Sequence, residues 1–147
     1  MLTMKIKDAF FDRSAVLAQI GARRVKVLSK AGAFVRTRAR TSMRKRKGTS
    51  PPGQPPYAHE GSLRRLVLFG YDRSSDSVIV GPVGFNKSVA PAALEFGGES
   101  TRSFFSKRQG RVMKKTVQIR PRPYMGPALD REAARFPGLF KDALLKN

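Results

Sequence analysis

The chain has 147 residues, enough for one domain with its own core and too few for two. Thirty Lys and Arg against ten Asp and Glu give a formal net charge of +20, an imbalance that calls for a polyanionic or acidic neighbour. No cysteine is present, which excludes a disulfide framework, a thiolate zinc site and a cysteine nucleophile, while 13 Gly and 10 Pro imply much irregular structure.

Residues 1–7 lack the apolar core of a secretion signal, and no apolar run approaches the roughly 18 residues that cross a bilayer, so a soluble compartment and no membrane partner are expected. Over residues 8–43 the spacing predicts one long helix. Phe10, Leu17, Ile20, Val27, Leu28, Ala31, Phe34 and Val35 fall on a single stripe, with Arg23, Arg24, Lys26, Lys30, Arg36 and Arg40 on the opposite face. Asp12 or Ser14 suits an early cap; Gly21 and Gly32 weaken the interior by roughly 1 kcal/mol each, which predicts a bend or split near Gly32. Arg36, Arg38, Arg40, Arg44, Lys45, Arg46 and Lys47 form a self-repelling block, the candidate contact for a polyanion or an acidic protein surface.

Residues 44–61 read as a basic, proline-rich loop. Proline fixes φ and removes a backbone donor, so Pro51-Pro52-Gly53-Gln54-Pro55-Pro56 is neither helix nor central strand and adopts few conformations. A stiff loop of this kind suits an interface, and Pro51, Pro52, Gln54, Pro55, Pro56 and Tyr57 are its candidate contact residues. Across 62–120 the order is a helical turn opened by Ser62, a hairpin of Leu66–Tyr71 and Ser77–Gly81 around a polar turn, and a strand end at Pro82, Gly84 and Asn86. A short helix follows over 89–98, with Pro91 in its first turn and Gly97 at its C-cap. Residues 99–113, mostly polar and basic around Phe104-Phe105, are expected to form an extended loop that is mobile or ordered by a partner. Phe104 and Phe105 are either anchors for a neighbour or a clip on the sheet.

The alternating run Lys115–Arg120 predicts a third strand. Within 121–147 a second proline-punctuated segment runs to Pro127, and Arg120, Arg122, Pro123, Tyr124 and Met125 join the interface candidates. The C-terminal helix after it should be kinked or interrupted by Pro137. The whole reads as a single α+β domain, with a long N-terminal helix and a C-terminal helix packed on a small, mainly antiparallel sheet with extended loops.

Motifs for chemistry are weak. His59 is the single histidine, and Ser62 beside it lacks a Gly-x-Ser-x-Gly elbow. Glu95 and Glu99 stand one helical turn apart, but Gly97-Gly98 breaks the helix between them and no third ligand lies beside them. No phosphate-loop spacing occurs. No catalytic residue, metal or cofactor is therefore expected.

Four marks in order carry a resemblance. They are Pro51-Pro52-Gly53-Gln54-Pro55-Pro56; His59-Glu60-Gly61-Ser62-Leu63-Arg64-Arg65 with the hairpin ending in Val78-Ile79-Val80-Gly81-Pro82; Ala90-Pro91 with Leu94-Glu95-Phe96-Gly97-Gly98; and Arg122-Pro123-Tyr124-Met125-Gly126-Pro127-Ala128-Leu129. With these, the chain resembles, over about residues 8–145, the tail-completion or head–tail joining proteins of long-tailed bacteriophages, the virion morphogenesis or neck group. The resemblance implies a non-enzymatic subunit of a virion ring, six copies favoured over twelve, that meets connector, tail-terminator or tail-tube proteins and surrounds a lumen for DNA. For the basic block, docking on an acidic rim is preferred to gripping DNA, because tight phosphate contacts would retard transport. The charge alone supports a different reading, a nucleic-acid-binding protein of ribosomal or nucleoid type.

Overall fold

The computed structural model describes residues 13–85 and 90–145; the side chains of Val16, Arg102, Leu144 and Leu145 are not among those described. Expectations placed on Phe10, Asp12, Asn86 and Val89 therefore lie outside the described residues. The chain is an α+β fold of helices and two small antiparallel hairpins. Its spine is α1, Arg13–Ser42, about 45 Å long at 1.5 Å per residue. Among the described residues no helix is long and apolar enough to cross a membrane.

The spine buries Val27, Ala31, Val35, Ala39 and, just past its end, Met43, one residue per turn along one face. Against that face pack α2 (Ser62–Leu66), the hairpin β1 (Val67–Asp72) and β2 (Ser77–Pro82), and the C-terminal helices α4 (Gly126–Ala133) and α5 (Phe136–Leu145). Val35, Ala39, Met43, Ala58, Val67, Tyr124 and Ala128 form the core, with Leu63, Val80, Leu94, Met125 and Phe136 packed around it. The stripe predicted from spacing divides here. Leu17 and Ile20, 56% and 45% exposed, lie on the part of α1 that extends past the core.

No break occurs at Gly32, contrary to expectation: α1 is a single helix across it. What the glycine supplies is space, since a Cβ there would lie 3.0 Å from both Val78 methyls and 3.1 Å from the Phe69 ring. The hairpin crosses the helix at that point. Its turn, closed by Asp76 at φ 49, is tied back to α1 by an ion pair from Arg24 at 2.6 Å, and Tyr71 donates to the same carboxylate. That hydrogen bond raises the Tyr71 pKa. Three short bonds from Ser74 and Ser75 pull the Asp72 carboxyl down to about 2.

The short helix α3 (Ala90–Phe96) ends at Gly97 as expected, with φ 78. Beyond it the structure departs from the sequence reading. Residues 99–113 are not a loop; β3 (Gly98–Ser106) and β4 (Arg111–Ile119) make a second hairpin, and the expected third strand is the end of β4. Gly110 at φ 61 closes its turn, donating to the Ser106 carbonyl at 2.8 Å. The two hairpins do not join into the single sheet expected. At the C-terminus Pro137 lies in the first turn of α5, after a break at Ala134-Arg135, which is the interruption expected of it.

Crowding at Gly32 and open space at Gly21 on the same helix give opposite outcomes for substitution. Gly32→Val should destabilise the protein by about 1–3 kcal/mol through overpacking, while Gly21→Ala, with no atom within 4 Å of the new methyl, should stabilise it by about 0.5–1 kcal/mol. Urea unfolding of the two variants measures both.

Candidate functional site

The two proline segments meet. Pro52 and Gly53, the latter at φ 78, fill the central positions of a type II turn in which Gln54 N–H donates to the Pro51 carbonyl at 3.3 Å. From that turn Gly53 N–H donates to the Pro121 carbonyl at 2.9 Å, and Arg122 Nε donates to the Ser50 carbonyl at 2.9 Å. Arg122 N–H in turn donates to the Leu94 carbonyl at 2.6 Å, so the loop, the second proline segment and α3 are stitched together.

At their junction lies Glu95. Its carboxylate accepts from the backbone N–H of Tyr124 at 2.9 Å, Met125 at 3.1 Å and Gly126 at 2.7 Å. A helix leaves its first N–H groups without internal partners, and α4 has no side-chain cap of its own. Glu95 caps it from another helix, the negative charge sitting at the positive end of the α4 dipole. Gly126 permits the approach, because a Cβ there would stand 3.3 Å from Glu95 Oε1. Gly97 does the same on the other side, where a Cβ would lie 3.0 Å from Pro121 Cδ and 3.2 Å from the Ile119 carbonyl. Burial, with Glu95 nearby, pushes the Tyr124 phenol up to about 12.

The sequence-derived interface residues consequently separate. Tyr124, 1% exposed, is a core residue of the chain itself; Pro56 is buried, and Pro55, Tyr57, Arg122, Pro123 and Met125 are half-buried. Pro51, Pro52, Gln54 and Arg120 are exposed. Phe104 and Phe105 lie on opposite faces of the second hairpin, 47% and 61% exposed, paired across the strands with Met113 and Val112. They are not a clip on the first sheet. That hairpin touches the body chiefly through α3 and leaves both faces open along nearly its whole length. It is an arm, about 30 Å long for nine residues per strand.

A second unfilled surface lies on the body. An apolar groove of about 550 Å³ runs between α1 and the C-terminal helices, floored by Leu28, Val35 and Val80 and rimmed by Phe96, Leu129 and Phe140. Phe96 is 82% exposed at its edge.

The basic block also separates. Arg38 donates through Nε to Glu132 at 2.8 Å, and Arg135 pairs with the other oxygen of the same carboxylate at 3.0 Å, although Glu132 is 2% exposed. Arg36 stacks over Phe69 at 5.2 Å, and Arg46 over Tyr57 at 5.7 Å. Arg40 is half-buried, while Arg44, Lys45 and Lys47 are exposed. His59 is exposed in the loop, and among the described residues no three His, Asp or Glu side chains gather as a metal site would require. No family model, curated protein or solved structure matches the chain.

Two carboxylates support testable statements. Removing the shared cap with Glu95→Ala should cost about 2 kcal/mol in urea unfolding, with Glu95→Gln intermediate because one acceptor oxygen survives. Hydrogen bonds from Arg38 and then Arg135 hold the Glu132 carboxyl below its ordinary 4.5. A depressed folded pKa means stability that is fully present above 4.5 and is lost as pH falls through the lowered value. Thermal unfolding against pH should show this acid limb in the wild type and a flatter one in Glu132→Gln.

Proposed function

We propose that the chain is a non-enzymatic structural subunit of the neck or tail end of a long-tailed bacteriophage, forming a ring that completes the tail or joins it to the head connector. The observation that carries this reading is the β3–β4 arm. An isolated two-stranded hairpin is marginal in water, and this one leaves Phe104, Phe105, Val112 and Val117 uncovered. Burying each such side chain is worth about 1.5–3 kcal/mol, so the arm gains most of its stability from a neighbour.

A ring needs a heterologous contact, in which one surface of a subunit meets a different surface of the next. The arm supplies one half. The apolar groove supplies the other, and its exposed rim residues Phe96, Leu129 and Phe140 suit an arm that carries Phe104, Phe105 and Val112 uncovered. The segments behind the family resemblance also have a mechanical role in this reading, since the proline turn, the Leu-Glu-Phe-Gly-Gly stretch and the Arg-Pro-Tyr-Met-Gly-Pro stretch meet at the foot of the arm. Six copies, placement in the virion, and stacking on connector, tail-terminator or tail-tube proteins follow from the resemblance.

Negative-stain microscopy and light scattering of the wild type, alone and mixed with those neck and tail proteins, should reveal rings. Phe104→Ser/Phe105→Ser should keep the fold, by circular dichroism, and lose them. A wild type that stays monomeric in every mixture, or a double variant that assembles as well as the wild type, overturns the reading.

A further inference from the structure

A third concave surface lies away from the arm and the groove. Between the end of α1, the proline loop and α4 is a cleft of about 430 Å³ whose walls carry Arg38, Arg44, Arg46 and Arg131, with Gln54 and Tyr57 beside them. Among the described residues no carboxylate lines it. Thr41 and Ser42, also on its wall, turn their hydroxyls back to donate to carbonyls of α1, which leaves guanidinium groups as the dominant donors. Glu132 lies behind the wall and fixes Arg38 through Nε, but Arg135 already shares that charge. The positive charge of Arg44, Arg46 and Arg131 is left to attract an anion from outside.

We propose that this cleft binds a phosphate of the DNA backbone, without reading sequence. Guanidinium forks match the oxygens of phosphate and carboxylate alike, so the choice rests on the surroundings. An acidic protein docks through a dehydrated apolar centre with charges at its rim. Here the lining is mostly polar, and the aromatic ring of Tyr57 is already stacked under Arg46. Beside the cleft Arg44, Lys45, Arg46 and Lys47 follow one another in non-helical chain, all exposed, as a track for a polymer with regularly spaced charge. Few phosphates are held per chain, and weak, salt-sensitive contacts of this kind let DNA slide, which removes the objection that a gripping channel would stall it. The cleft belongs to one chain and would bind phosphate whether or not subunits form a ring.

Fluorescence anisotropy with a short mixed-sequence DNA duplex, titrated with salt, tests the assignment. Arg44→Gln/Arg131→Gln removes two exposed cleft charges outside the Glu132 pair, and Lys107→Gln/Arg108→Gln at the turn of the arm removes the same charge elsewhere. The cleft variant should lessen the slope of log K against log salt by roughly 2, and the arm variant by less than half of that. Inorganic phosphate should compete with the duplex for the wild type more strongly than for the cleft variant. Equal losses in the two variants, or a poly-glutamate peptide that binds the wild type as tightly as DNA does, overturn the proposal. Thermal unfolding checks the double variant; should it be destabilised, each single variant should show about half of the slope change.

Discussion

The first N–H groups of a helix are fixed donors that the helix itself cannot satisfy, and at α4 a carboxylate from a different helix accepts three backbone N–H groups where the helix begins. Much of the molecule follows from that bond set. Glu95 can reach Tyr124, Met125 and Gly126 only if α3 stops at Gly97 and the chain returning from β4 passes close by at Pro121. That passage places Tyr124 in the core against α1 and brings Arg122 to the Ser50 carbonyl, which seats the proline turn. Loss of the carboxylate would loosen the start of α4, the seat of the loop and the foot of the arm together.

The same scarcity of acid governs the surface. With ten acidic residues against thirty basic ones, each carboxylate is valuable to the fold, and the described bonds engage several of them internally. Glu95 caps α4, Glu132 joins α1 to α4 through Arg38, Asp76 ties the first hairpin to Arg24, and Asp72 organises the turn of that hairpin. Glu99 accepts from Gln118 across the arm. Acids that hold the interior cannot neutralise the outside, so the cleft and the arm remain strongly positive.

Where a residue pattern reports burial, it was readable. The stripe on α1 announced the spine, the two apolar runs flanking Asp72–Asp76 announced the first hairpin, and Gly97 and Pro137 marked helix boundaries through backbone conformation alone. Only the far end of the arm was legible, in the alternation from Lys115 to Arg120; residues 99–113 escaped because they bury almost nothing, and Phe104 beside Phe105 stood out as a pair without showing that the two side chains point to opposite faces of a hairpin. Gly110 before a run that holds Val112, Thr116, Val117 and Ile119 was the available signal. Glu95 was weighed as a metal ligand beside Glu99 and set aside, since its local spacing says nothing about N–H groups some 30 residues away. The basic block was legible as charge but not as geometry. Only the fold separates Arg38, held by Glu132, and Arg36, stacked on Phe69, from the exposed residues beyond Met43.

The arm meets the body at one narrow joint, where Gly97 and Gly98 enter β3 and Pro121 leaves β4. Such a shape is a lever. A tilt of about 10° at the joint would move the tip of an arm about 30 Å long by roughly 5 Å, more than the width of a side-chain contact. Angular tolerance at the foot is thus far tighter than at any point along the strands. Glu95 and the proline turn act at the fulcrum, where a small error in stiffness is magnified most.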